Sequence, residues 1–378
     1  MSAVVVFIIF AICLVIAIPI SISLGIVAVL PGAFDASFTA SAGYVIRSMV
    51  GGIDSFPLLA VPMFVLAGIL MAHGKISEKL FDVFVYFLGN KRAGIPCAVI
   101  ITCLFYGAIS GSAPATVAAV GSMTIPLLIE LGYEKDFSTA IVAVAGGLGV
   151  IIPPSIPFIM YAMATGESVS DLFLAGIVPG MMISALLIFY AYYYCRRHGE
   201  DREKIQAKMD QLKTKGFVNI LKESIWALLS PVIVLGCIYS GVASPTEAAV
   251  ISVFYSLFVS LFIYKSIKVK QIWGIMVEAM KTYAPILFIL ATSTAFSRVL
   301  TLMQVPQDVS AWIMTHFSNE IVLLLVINVV LLIVGMVMDT TPAILILSPI
   351  LLPIVEHVGM NPIHFGVMMI VNLAVGFV

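Results

Sequence analysis

Asp339 is the only charge in residues 321–355, and two threonines and a proline follow it as 339-DTTP-342. A carboxylate in an apolar run is costly unless it faces a cavity or a partner, so Asp339 is a functional candidate by default. Pairing with an Arg or Lys elsewhere in the chain is the plain alternative. A second polar knot, Ser110, Gly111, Ser112 and Pro114, interrupts 107-GAISGSAPATVAAVG-121 inside residues 93–129, which carry no charge at all. There an incoming helix would end near Ile109, and a returning one would start with Ser112 as N-cap and Pro114 in its first turn. Carbonyls and hydroxyls at such a break are oxygen donors suited to a hard cation. With no carboxylate or histidine in this knot to relay a proton, Na⁺ is favoured over H⁺. A third stretch, 146-GGLGVIIPPSIP-157, cannot be continuous helix, because Pro153, Pro154 and Pro157 remove donors and clash with the preceding turn. It would add carbonyls from Gly146 to Pro153, with Ser155 just beyond. Any one of these kinks, taken alone, is equally well a packing feature, since Gly and Pro are frequent in membrane helices.

Two further charges stand out. Arg298, in 291-ATSTAFSRVLT-301, could attract an anion, or could snorkel to the interface from a helix end. Glu247, in 243-ASPTEA-248, reads as a helix-start acid behind Pro245.

The elements that must hold these residues are membrane helices. Hydrophobic residues make up 61% and charged residues 10% of the 378, and the mean hydropathy is +1.15, so the fold class is an all-α polytopic membrane protein. The uncharged start of the chain lacks a basic n-region and a small-residue cleavage pattern, so it reads as a retained first helix. Single spans are expected at 3–30, 55–73, 137–164, 172–195, 224–242, 247–264, 282–303 and from 363 onward. The 37 residues of 93–129 would make a helix of about 55 Å, nearly twice the roughly 30 Å hydrocarbon core, so this stretch must fold back or break. The 35 residues of 321–355 repeat the problem. Eight of the 19 Lys and Arg residues fall between Arg196 and Lys222, which marks that loop as cytoplasmic. Treating 94–131 and 321–357 as re-entrant hairpins places 74–93 and 265–281, with their lysines, on the same face. The loops 31–54, 165–171, 304–320 and 356–362 then fall on the far face with Arg47 as their only basic residue, and the N-terminus is cytoplasmic. The segments 76–91 and 306–320 read as amphipathic arm helices lying along the interface, or as plain solvated loops.

An internal repeat orders these features. Pro57, Gly107 and Pro114 match Pro285, Gly335 and Pro342 at an offset of 228, and Pro126, Gly132 and Gly149 match Pro353, Gly359 and Gly376 at 227. The first repeat is placed at 1–200, with scaffold helices, arm helix, hairpin 94–131 and broken helix 137–164. A cytoplasmic linker follows at 201–223, and the second repeat covers 224–378. Five crossings separate the first span from its counterpart at 247–264, and an odd number makes the repeats inverted. Inverted repeats with broken helices are a transporter architecture, with sites where irregular backbone lines a cavity near the midplane.

The runs SGSAPATVAAVGSMTIPLL, GGLGVIIPPSIPF, ASPTEAA and MDTTPAILILSPILLPI, in that order over essentially the whole chain, resemble the large membrane subunit of TRAP transporters, the DctM type. The resemblance implies a Na⁺-driven importer of a small organic anion in the bacterial inner membrane. It further implies an elevator mechanism, in which a transport domain carrying the hairpins moves against a scaffold. Its partners would be a small membrane subunit and a periplasmic substrate-binding protein. Carried onto this sequence, Na⁺ is expected around Ser110, Gly111, Ser112 and Ser155 with Gly146, Gly149 and Pro153. A second ion is expected around Asp339, Thr341 and Gly376. Candidate substrate contacts are Ser112, Pro154, Ser155, Thr340 and Arg298. Sialic acid is the favoured substrate, with C4-dicarboxylates or other carboxylates as the alternative. The family pattern also expects a second proline break 227 residues beyond Pro153 and Pro154, past Val378, followed by another half-helix and a span; the second ion site as written is then incomplete.

Two other classes compete. An enzyme is disfavoured because neither HExxH nor GxSxG occurs and the five histidines fall near span ends or in loops. A channel is the nearer rival, since broken helices also build pores. The five cysteines show no CxxC or Cys/His clustering and read as small core hydrophobes.

Overall fold

The computed structural model describes residues 3–35, 38–214, 216–316 and 319–378. All regular structure among them is helical. The chain opens with α1 (Ala3–Val15), α2 (Ile20–Phe34) and α3 (Ala42–Ile53), and a short turn leads into α4 (Ala60–His73). An arm, α5 (Ile76–Leu88), precedes the first hairpin, α6 (Gly94–Ser110) and α7 (Ala113–Glu130). The broken helix follows as α8 (Lys135–Gly146), α9 (Leu148–Ile151) and α10 (Ile156–Thr165). Next come α11 (Val169–His198), α12 (Arg202–Thr214), α13 (Phe217–Tyr239) and α14 (Pro245–Phe258), the last running on into a π-turn at Val259–Ile263. The remainder is α15 (Val269–Leu302), α16 (Val305–His316), the second hairpin α17 (Glu320–Val337) and α18 (Thr340–His357), and α19 (Pro362–Phe377). Eight helices among the described residues are long and apolar enough to cross a membrane.

Packing sorts the chain into two compact units. One gathers Met1–Leu59, Pro157–Leu172 and Met280–Phe377; the other gathers Ala60–Ile156 and Phe173–Ala279, together with Val378. In the second of these, the first hairpin is surrounded by α4, α5, α8 and α9, and α14 packs on α4, burying Ala248, Ala249, Ser252 and Ser256. The arm α5 buries Ile76, Leu80, Phe81, Val83 and Val85, while Glu78 lies on its open side, the amphipathic pattern expected of it. In the other unit α17 packs on α18 and α19, and Phe296 of α15 stacks with Phe10 of α1.

One expectation is corrected, and two segments hold more helix than their composition shows. The first span is not one helix over 3–30. Ala17 adopts a left-handed φ of 63°, the Ile18 N–H closes on the Cys13 carbonyl at 3.0 Å, and Pro19 removes a donor, so the chain stops at Val15 and restarts at Ile20. The basic segment 265–281 is largely helix, because α15 starts at Val269 and carries Lys270, Glu278 and Lys281. The 201–223 linker holds α12, whose Ile205, Met209 and Leu212 are buried against the arm, and α13 begins within it at Phe217; Lys215 lies outside the described residues. Of the expected arm at 306–320, α16 covers the part through His316, while Phe317 and Ser318 lie outside the described residues.

Candidate functional site

The first hairpin turns on two residues. α6 ends where Gly111 takes φ 62° and its N–H bonds the Gly107 carbonyl at 2.9 Å; Ser112 is then extended, with φ −142° and ψ 128°, and α7 begins with Pro114 in its first turn. Ser112 occupies the N-cap position as expected, but its side chain makes no capping bond. The hydroxyl that orders this turn is Thr116, which sequence reading missed because it looks like an ordinary residue of a helical run. Thr116 is fully buried, donates to the Ser112 carbonyl at 2.8 Å, and lies 2.9 Å from the Ser110 Oγ.

The helix break comes directly onto this turn. The Ile156 N–H donates to the Gly111 carbonyl at 3.2 Å, and Ser155, fully buried, donates to the Val150 carbonyl. The peptide between Pro153 and Pro154 is cis. A Cβ placed on Gly149 would lie 2.5 Å from the Thr116 Oγ1 and 2.8 Å from the Ser112 carbonyl oxygen, and one on Gly107 would lie 2.7 Å from the Gly149 Cα. Only glycine lets the two backbones approach so closely. Ser110, Gly111, Ser112, Gly149, Pro154 and Ser155 are therefore brought to one place by direct contact. Gly146 packs one turn away against Val117. The gathered donors are all neutral oxygens, and among the described residues no group of three or more His, Cys, Asp or Glu could hold a metal. Oxygen donors of this kind suit a hard cation and offer nothing to a soft one.

The second hairpin turns differently. Met338 is extended and Asp339 caps α18, its Oδ1 accepting from the Thr340 N–H at 2.6 Å and from the Thr340 hydroxyl at 3.2 Å. Asp339 is exposed, while Thr340 and Thr341 are buried. Gly376 lies one helical turn back from this tip, where a Cβ would meet the Leu332 carbonyl at 2.4 Å and the Gly335 Cα at 3.0 Å. The crossing of Gly335 with Gly376 thus repeats that of Gly107 with Gly149, at the residue pairs which the sequence offsets match. The far ends of the hairpins repeat as well. Gly132 and Gly359 have φ of 92° and 83°, and each closes its helix with the same two bonds: Tyr133 to Leu128 with Gly132 to Ile129, and Met360 to Val355 with Gly359 to Glu356.

A buried carboxylate fastens the base of the first hairpin. Glu200, 3% exposed, accepts from the Ala93 N–H at 3.0 Å, the Tyr133 hydroxyl at 2.8 Å and the Arg202 guanidinium at 3.0 Å, tying both legs to the start of the linker. Burial, reinforced by Glu200, pushes the Tyr133 phenol well above its usual range.

Arg298 lines a cavity of about 330 Å³ within the unit that contains the second hairpin. Gly51, Gly52 and Ser55 form one side of this cavity, Thr294 and Ser297 flank the arginine, and Leu290, Leu345 and Pro349 supply apolar wall.

A family model described as the tripartite ATP-independent periplasmic transporter, DctM component, matches residues 7–378. The chain belongs to the DctM family. It is 43% identical to the isethionate TRAP transporter permease protein DctMQ of Oleidesulfovibrio alaskensis over 98% of this chain and 57% of that protein, so it spans little more than half the length of this relative. It is 39% identical to the C4-dicarboxylate TRAP transporter large permease protein DctM of Pseudomonas aeruginosa (86% of this chain, 75% of that protein), and 37% identical to the 2,3-diketo-L-gulonate TRAP transporter large permease protein YiaN of Escherichia coli (88% and 77%). In fold, this DctM-family chain resembles the YdaH transporter of Alcanivorax borkumensis, with a TM-score of 0.60 at 13% identity over 94% of this chain and 85% of that one. The MtrF structure of Neisseria gonorrhoeae gives 0.61 at 14% identity, over 94% and 83%.

Proposed function

We propose that this chain is the large membrane subunit of a secondary importer that brings a small organic anion across the bacterial inner membrane, driven by a Na⁺ gradient. The observation that supports it most is the pairing of each hairpin with a glycine crossing at matched positions, which in the first repeat presses a helix break onto a turn rich in oxygen donors. In this reading one Na⁺ is held by neutral oxygens at Ser110, Ser112 and the 146–155 break, and another at Asp339 and Thr341. The repeats are inverted, the N-terminus is cytoplasmic, and transport follows an elevator mechanism in which a transport domain moves against a scaffold. The word tripartite in the family description, and the greater length of the isethionate relative named DctMQ, support a small membrane subunit and a periplasmic substrate-binding protein as partners. No enzymatic step is assigned to the chain.

The substrate is a small carboxylate or sulfonate. Sialic acid, favoured on the sequence, stands beside the isethionate, C4-dicarboxylate and 2,3-diketo-L-gulonate named for the relatives. The test is uptake of each anion into proteoliposomes holding the chain with its partner subunits. Saturable uptake that needs an inward Na⁺ gradient is expected; gradient-independent ion current would replace the importer by a channel.

A further inference from the structure

We infer that the cavity beside Arg298 is the anion-binding site and that it takes a substrate with one negative charge, a monocarboxylate or monosulfonate, in preference to a dicarboxylate. This rests on the importer reading and adds the substrate class to it.

Arg298 belongs to α15, a helix apolar enough to span a membrane, yet its side chain is exposed. An arginine facing lipid would be costly; one facing an aqueous pocket is not. No ion pair ties it to any described carboxylate. The guanidinium therefore keeps a fork of donors that matches the planar oxygens of a carboxylate or two oxygens of a sulfonate. The close approach of α3 leaves it uncovered. A Cβ on Gly52 would strike the Thr294 side chain at 2.7 Å, so glycine is what allows α3 to close on α15. A Cβ on Gly51 would lie 3.8 Å from the Arg298 Nη1, so any longer side chain there would lie over the charge. Ser55, Thr294 and Ser297 add hydroxyls that can bond an acid head or a hydroxyl on the body of the ligand.

Charge counting sets the class. Arg298 is the only Lys, Arg or His among the described residues lining the cavity, and Met163, Ala164, Leu290, Leu345 and Pro349 supply its apolar lining. A second carboxylate held in the cavity would find no cation among its lining residues. At about 330 Å³ the space lies at the small end of the roughly 300–1,000 Å³ range of ligand pockets, enough for a compact hydroxylated acid.

The experiment is calorimetric titration of the purified full chain in lipid nanodiscs at saturating NaCl and pH 7, with isethionate, sialic acid and succinate as probes. Each protein is also checked for Na⁺-dependent thermal stabilisation. At least one monoanion is expected to bind, with succinate at least about tenfold weaker. Losing a charge-assisted bond worth about 1.5–3 kcal/mol predicts a loss of roughly 10- to 100-fold for Arg298→Gln, with Arg298→Lys in between. Both variants should keep the Na⁺ response, which shows that they fold. Succinate binding as tightly as the monoanions, Arg298→Gln binding with wild-type affinity, or no binding of any probe by a Na⁺-responsive wild type would each overturn the inference and leave the importer reading standing. Monoanion binding that depends on Arg298 in a chain with no Na⁺ response would do the reverse.

Discussion

Replacing Gly149 by alanine probes the contact on which the proposed first ion site depends. The added methyl would sit 2.5 Å from the Thr116 Oγ1 and 2.8 Å from the Ser112 carbonyl oxygen. Ordinary non-bonded separation is about 3.5 Å, so the break and the hairpin must move apart by roughly 0.7–1 Å. Neither obstacle is the far end of a flexible chain. One is backbone, and the other is a fully buried threonine bonded to Ser110 and Ser112. Overpacking of this kind costs about 1–3 kcal/mol, and it displaces the oxygens proposed to hold Na⁺. Gly149→Ala should therefore lower the thermal midpoint in Na⁺-free buffer and raise the Na⁺ concentration for half-maximal uptake by roughly tenfold, since about 1.4 kcal/mol corresponds to one decade. Gly236→Ala is the control. Gly236 lies inside α13 with nothing within 4 Å of its Cβ position, and gaining a better helix former there should be neutral or stabilising by up to about 1 kcal/mol. Thermal unfolding with and without NaCl, and uptake against Na⁺ concentration, measure both effects. An unchanged midpoint and unchanged Na⁺ dependence in Gly149→Ala, or equal damage from Gly236→Ala, would refute the reasoning.

The same logic applies in the second repeat, where Gly335→Ala would drive a methyl to 2.7 Å from the Leu373 carbonyl and should reproduce the loss of stability in the same melts. Asp339→Asn keeps an acceptor for the Thr340 N–H while Asp339→Ala removes it, so both should reduce Na⁺-coupled uptake, but only the alanine should also cost the roughly 0.5–2 kcal/mol of a lost cap in unfolding measurements. Glu200→Ala orphans the Ala93 N–H and the Tyr133 hydroxyl and should cost about 1.5–3 kcal/mol, with faster amide exchange at Ala93; Glu200→Gln should retain part of this protection. Asp201 accepts from the Lys204 N–H and pairs with its ammonium, which holds its carboxyl below the usual value of 3.8. A depressed folded value adds stability that is present above that usual value and is lost as pH falls through the lowered one, so acid melts of Asp201→Asn and wild type should converge at the acid end.

Length, charge and repeat arithmetic located both hairpins closely, because a run too long for one crossing and a proline-bearing knot are both visible in one dimension. The tips lie at Gly111–Ser112 and Met338–Asp339 inside the two runs too long for one crossing, and the glycines matched at offsets of 228 and 227 are the ones that touch in each half. What escaped notice depends on geometry that composition does not encode. Thr116 orders the first tip, yet by itself it is one more β-branched residue in a helix. The break after Val15 rests on an alanine at positive φ, which carries no sequence signal beyond the nearby Pro19. Arg298 is ambiguous in sequence between a snorkelling side chain and a ligand group, and its neighbours across the cavity, Gly51 and Gly52, lie nearly 250 positions away, beyond the reach of any local pattern.

The proposed coupling of Na⁺ to anion transport at the hairpin tips is tested by uptake of labelled anion in proteoliposomes with the partner subunits, comparing wild type with Ser110→Ala and Asp339→Ala at a fixed inward Na⁺ gradient. Wild-type uptake should collapse when the gradient is removed, and each variant should assemble normally yet transport weakly, with its residual uptake shifted to higher Na⁺. Wild-type uptake in both variants, or wild-type uptake indifferent to Na⁺, would contradict it.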